Sequence, residues 1–179
     1  NATSGNTIFS NGNLAISGGT IHSDSGIALI SFAPAGSETT VSGGTITSTS
    51  NYCAVNGDAG NMSVSGTAVF STVSGGICLL NQGTGTAVIN GGTLTADKVE
   101  LYNSGDGKIE INAGTYVMVV NSNASGKIVI DGGSVKAVQG TTPINGAGTP
   151  LSSYGITLTN GSVPIAENIS IVAGELTIT

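Results

Sequence analysis

Ile16-Ser-Gly-Gly-Thr-Ile21 and Val41-Ser-Gly-Gly-Thr-Ile46 are the same phrase met twice, and it keeps returning. A shortened copy, Val64-Ser-Gly-Thr-Ala68, is followed by Ile89-Asn-Gly-Gly-Thr-Leu94, Ile111-Asn-Ala-Gly-Thr-Tyr116 and Ile130-Asp-Gly-Gly-Ser-Val135. Weaker copies stand at Leu158-Thr-Asn-Gly-Ser-Val163 and Ile171-Val-Ala-Gly-Glu-Leu176. The first seven copies begin at 16, 41, 64, 89, 111, 130 and 158, so the steps are 25, 23, 25, 22, 19 and 28 residues. That period suits one coil of a parallel β-solenoid.

The residues around the phrase fit a coil with three sides. A short alternating strand precedes it, as in Met62-Ser-Val64 and Ile109-Glu-Ile111, with one apolar row facing inward. Glycine then lets the chain turn a corner. A second strand follows, as in Gly92-Thr-Leu-Thr95, and a third comes later, as in Ile77-Cys-Leu-Leu80 and Val99-Glu-Leu-Tyr102. The reading is all-β: one right-handed, single-stranded parallel β-helix domain over 1–179, with about seven coils of three short strands. The chain reads as a segment of a longer surface protein. Segment 139–155, with Pro143 and Pro150, is expected to project as an irregular loop, and segment 31–38, with Pro34, as a smaller bulge.

Four of the third strands end in asparagine: Asn56, Asn81, Asn103 and Asn121. Stacked in register, their amides form a ladder along one corner, each bonding the next. Cys53 and Cys78 are 25 residues apart, one coil, and occupy the same place in consecutive third strands. The spacing allows a disulfide and equally allows two free thiols packed as small apolar residues. Glu100 follows in that column, which suggests that the column faces outward.

Composition removes whole classes of function. The chain has 179 residues, 29 of them glycine, no tryptophan and a net charge of −6. Charged residues make up 8%, against about 25% in an ordinary soluble domain. Four lysines against ten acids build no basic face, so nucleic acid is not an expected partner. No apolar run is long enough for membrane insertion by a helix. The acids Asp24, Asp58, Asp97, Asp106 and Asp131 fall on separate coils. Lys108, Lys127 and Glu110 read as a solvated face, and nothing assembles around His22, so no catalytic group, metal or cofactor is expected. Thr45/Thr47 and Thr93/Thr95 fit a hydroxyl array of the ice-binding kind, but His22 and Lys136 interrupt it.

Recognition remains. Sugars stack on exposed rings, and Tyr102 is the ring expected to point outward from a regular strand, beside Lys98 and Glu100. Tyr154 lies in the irregular loop and Phe32 in the bulge, while Tyr52 and Tyr116 fall in inward columns. Lys98, Glu100, Tyr102 and Tyr154 are therefore the candidate carbohydrate site.

The phrase ISGGTI / VSGGTI / INGGTL / IDGGSV resembles the repeated coils of β-helix domains in surface proteins of Gram-positive and gut bacteria, some of them classed as carbohydrate-binding. The stretch 130–151 resembles the coil and loop that close such arrays. The resemblance implies extracellular display, and adhesion to a polysaccharide or a host-surface protein. The calcium-binding acidic clusters of some relatives have no clear counterpart here. A structural stalk that presents other domains is the alternative function, and a polysaccharide lyase or hydrolase the third.

Overall fold

The computed structural model describes residues 1–123, 125–131, 134–140, 149–150, 168–171 and 175–178, with side chains described through residue 131. The strands in chain order are β1 (Ile8–Ser10), β2 (Leu14–Ser23), β3 (Leu29–Ser31), β4 (Glu38–Ser48), β5 (Ala54–Asn56), β6 (Asn61–Val64), β7 (Val69–Thr72), β8 (Ile77–Asn81) and β9 (Thr86–Ile89). Then come β10 (Thr93–Thr95), β11 (Val99–Asn103), β12 (Lys108–Ile111), β13 (Thr115–Asn121), β14 (Lys127–Ile130), β15 (Ser134–Gly140), β16 (Thr149–Pro150), β17 (Asn168–Ile171) and β18 (Glu175–Ile178).

These strands stack as a parallel β-solenoid. The first side is β2, β4, β6, β9, β12, β14 and β18, all parallel. The second is the later halves of β2 and β4, then β7 and β10. The third is β1, β3, β5, β8, β11, β13, β15 and β17, with β16 antiparallel on the last. Adjacent strands lie about 4.8 Å apart, so the seven strands of the first side span about 29 Å.

The repeated phrase supplies the core. Its first residue forms the column Ile16–Val41–Val64–Ile89–Ile111–Ile130, each facing the next in register. All six are buried, as are Ile46, Phe70 and Leu94 from the second side and Leu29, Ala54, Leu79, Leu101 and Val119 from the third. Each such aliphatic or aromatic side chain larger than Ala contributes about 1.5–3 kcal/mol on burial. Stacking identical positions lets a narrow interior close without large residues. At Gly44, φ is +89° and an added Cβ would stand 2.8 Å from the Gly18 carbonyl carbon, so the corner demands glycine twice over.

The coil differs from the expected one after its fourth turn. The first four coils have three sides, the first and second carried by one long strand in β2 and β4 and by separate strands in the two coils after them. In the next two, the second and third sides run together as the single strands β13 and β15. The cause lies in the connection. Ala96-Asp-Lys98 makes a turn between β10 and β11, whereas Tyr116-Val-Met-Val-Val120 is a β-favouring run with no turn residue. The step from Asn103 to Asn121 is accordingly 18 residues, against 25 from Asn56 to Asn81.

Asparagine closes the corner after the third side as expected. Asn56 Nδ2 donates to Asn81 Oδ1 (2.8 Å), Asn81 Nδ2 to Asn103 Oδ1 (2.9 Å) and Asn103 Nδ2 to Asn121 Oδ1 (2.9 Å). The same three amide nitrogens, and that of Asn121, also donate to the carbonyls of Gly60, Gly85, Gly107 and Gly126, at 3.0, 3.1, 3.1 and 3.1 Å. An Asn amide has two N–H groups, and here one runs along the rod while the other closes its own turn. The glycines allow the approach: a Cβ on Gly85 would fall 1.9 Å from the Gly60 oxygen.

A second polar column was not foreseen. Ser23, Ser48 and Thr72 stack in register at the corner after the second side and are buried. Ser23 Oγ donates to Gly5 O (2.9 Å) and accepts from Gly26 N–H (3.0 Å). Ser48 Oγ repeats this with Gly26 O (3.0 Å) and Asn51 N–H (3.1 Å). Thr72 lies four residues before Gly76 rather than three, and its hydroxyl has no partner.

Candidate functional site

The outer surface of the third side carries the candidate site. Its outward positions form one column in register, Phe9–Ile30–Val55–Leu80–Tyr102–Val120. Ile30, Val55 and Leu80 make a cluster separate from the inner core, and Ile27, Tyr52 and Tyr102 pack against it. Phe9 and Phe32 stack with ring centroids 5.6 Å apart and planes 29° from parallel. Phe9 is 57% exposed and Phe32 40%. Phe32 leaves β3 at the start of the bulge, where its ring also covers Gly57.

Tyr102 thus points outward as expected, half-buried against Leu80. Tyr52 does not: it belongs to this outer cluster rather than to an inward column. Tyr116 is buried in the core, its hydroxyl donating to Ala113 O (2.8 Å). Tyr154 lies outside the described residues, as does most of segment 139–155.

Glu100 corrects the expected site. It is 4% exposed, and its Oε2 accepts the N–H of Met118 at 2.7 Å. Lys98 is exposed at the corner before β11. Glu100 is therefore turned away from the outer surface on which Tyr102 lies, and the Lys98 amine lies by Gly75. The physical reason is the bend. At this corner two consecutive residues point inward, Cys53 with Ala54 and Cys78 with Leu79. Glu100 stands in the same column, so strict alternation misplaces it.

The two cysteines go inward with it. Both are buried and both are free thiols. Cys53 Sγ donates to Ser71 O (3.0 Å) and Cys78 Sγ to Thr95 O (2.9 Å), so each thiol ties the third side to a carbonyl of the second. The neighbouring Cys53 and then burial push the Cys78 thiol well above the usual range. Burial, and after it the charge of Glu100, raises the Tyr116 phenol. These groups are poor nucleophiles and sit in the structural interior.

His22 has partners that spacing did not reveal. Its Nε2 lies 2.7 Å from Asp24 Oδ1 and its Nδ1 2.7 Å from Thr47 Oγ1. A carboxylate only accepts, so in the neutral imidazole Nε2 donates to Asp24 and Nδ1 accepts from Thr47. The order hydroxyl–imidazole–carboxylate is that of an activated nucleophile. Around it, β2 and β4 pair in register through Ser23 and Ser48. The chain of bonds braces two coils. On the first side, Lys108 Nζ sits 2.6 Å from Glu110 Oε2, and Lys108 and then Asn112 hold that carboxyl below its ordinary value. Among the described residues no three His, Cys, Asp or Glu side chains group as a metal site.

Compared with protein-family models, with curated proteins and with solved structures, the chain finds no match.

Proposed function

We propose that this rod is a non-catalytic recognition module displayed outside the cell, binding carbohydrate through the outer surface of its third side. The observation that carries the reading is the stacked, exposed Phe9–Phe32 pair in line with the outward rings of Tyr52 and Tyr102. Exposed rings on a rigid sheet have a use: the apolar C–H faces of pyranoses stack on them, and a rigid sheet holds them with little loss of entropy on binding. The serine- and threonine-rich exterior and net charge of −6 suit a surface protein kept soluble. The repeat's resemblance to bacterial surface β-helices points the same way.

A stalk is the second reading. The asparagine and serine ladders favour it, because each coil bonds only its neighbours and the rod lengthens by repetition. Binding of the purified chain to soluble and insoluble polysaccharides and host glycans, with calcium and with chelator, separates the two. Saturable binding lost in the Phe9→Ala, Phe32→Ala double variant supports the module. Silence across the panel leaves the stalk.

A further inference from the structure

Resting on that reading of the third side, we infer that the ligand is an uncharged, unbranched polysaccharide chain that lies parallel to the rod axis. Three observations converge. The first is alignment. Ile77 pairs with Val99 in a second outward row, three residues before the column of Phe9, Ile30, Val55, Leu80 and Tyr102, and Tyr52 stands in that row one coil earlier. Apolar positions therefore run along the stack, from the rung of β1 to the rung of β11. Ile30, Val55 and Leu80 are buried beneath these rows, so the accessible track is made by Phe9, Phe32, Tyr52, Ile77, Val99 and Tyr102; it runs over five strands, four intervals or about 19 Å. A track along the axis matches a ligand that repeats along a line.

The second is charge. None of those positions is ionisable except for the phenols, and the acidic residue that sequence placed there, Glu100, is turned inward. Lys98 is left at the corner. An acidic polysaccharide would meet no cation on the track and a protein of charge −6 around it. A neutral chain of sugars with equatorial hydroxyls offers flat C–H faces to the rings and hydroxyls to the two phenols.

The third is area. A track of about 19 Å and roughly 10 Å wide covers about 190 Å², against about 800 Å² per partner in a stable protein–protein interface. A second copy or a folded partner is poorly served by so narrow a strip. A single sugar chain is no wider than it.

The test is calorimetric titration of the full chain with unbranched, neutral β-linked gluco-oligosaccharides of two to eight units. A branched neutral glucan and polygalacturonate run beside them, each at low and high salt. Affinity is expected to rise with chain length until the oligosaccharide is as long as the track, then level, with no dependence on salt. Phe9→Ala weakens binding about three- to tenfold, the worth of one ring contact. Tyr102→Leu keeps apolar bulk over Leu80, so it preserves the fold and weakens binding by a similar factor. Circular dichroism verifies both variants. Equal affinity for all lengths or stronger binding of polygalacturonate overturns this inference while the carbohydrate reading stands; binding of a glycan that both variants leave untouched overturns the third side as the site, and this inference with it. Binding to none of the glycans overturns both.

Discussion

Asn81→Asp exchanges one amide nitrogen for an oxygen and leaves the shape of the ladder unchanged. Asn81 is fully buried, donating to Asn103 Oδ1 at 2.9 Å and to Gly85 O at 3.1 Å while accepting from Asn56 Nδ2 at 2.8 Å. As a carboxylate the new side chain still accepts, but it presents oxygen to two buried oxygens. Each acceptor left without a donor costs about 1–3 kcal/mol, so about 4 kcal/mol is lost at neutral pH. Protonation restores one O–H donor and about half of that loss, about 2 kcal/mol. By linkage, 2 kcal/mol is about 1.5 pH units, so the new carboxyl titrates near pH 5.4 in the folded chain against about 3.9 unfolded. The folded value is raised. The recovered stability is therefore fully present below about pH 3.9 and is lost as pH rises through about 5.4. Urea unfolding followed by circular dichroism, variant against parent at pH 3.5 and at pH 7.5, reads the difference. Equal destabilisation at both pH values, or less than about 1 kcal/mol at pH 7.5, would refute the ladder as a set of buried, saturated amides.

Four further outcomes are expected. Gly85→Ala puts a methyl carbon 1.9 Å from the Gly60 oxygen and lowers stability by more than about 3 kcal/mol, whereas Gly18→Ala meets nothing within 4 Å and changes it by less than about 1 kcal/mol in thermal melts. Ser31→Asn offers an amide to Asn56 Oδ1, the one ladder oxygen left buried without a partner, but removes the hydroxyl that accepts from Thr39 at 2.8 Å, so no net stabilisation is expected in urea titration. Cys53 and Cys78 react with Ellman's reagent only after unfolding; rapid labelling of the native chain would contradict their burial. Glu110→Gln changes stability by less than about 1 kcal/mol. The Glu110 carboxyl is held below its ordinary value, so that small contribution is present above the unfolded pKa and fades as pH falls through the folded one.

The sequence displays the fold openly at some residues and conceals the site at others. Ile16, Val41, Ile89, Ile111 and Ile130 stack on one another because each coil reuses the same position, and a repeat makes that visible without any distance. The asparagine ladder is legible for the same reason. Its second half was legible too, in Asn56-x-x-x-Gly60, Asn81-x-x-x-Gly85 and Asn103-x-x-x-Gly107, where the glycine is the carbonyl that each amide closes upon. Orientation at the corner before the third side was not. Cys53 and Ala54 both point inward, so period-two alternation assigns Glu100 to the wrong side and Tyr52 to the core. Phe9 went unnoticed because its strand precedes the first copy of the phrase. Register places His22 beside Thr47, 25 residues on, but the hydrogen bonds of its ring to Thr47 and Asp24 depend on a side-chain rotamer that spacing does not carry.

The central claim, that the third side binds sugar along its outer rings, is tested most directly by amide chemical-shift mapping of the ¹⁵N-labelled chain during titration with a neutral β-linked hexasaccharide. The account predicts saturable shifts confined to residues 8–10, 29–32, 52–56, 77–81 and 99–103, with the second-side residues 45–48 and 69–72 unmoved. Shifts centred on the first or second side, or at one end of the rod, would contradict it.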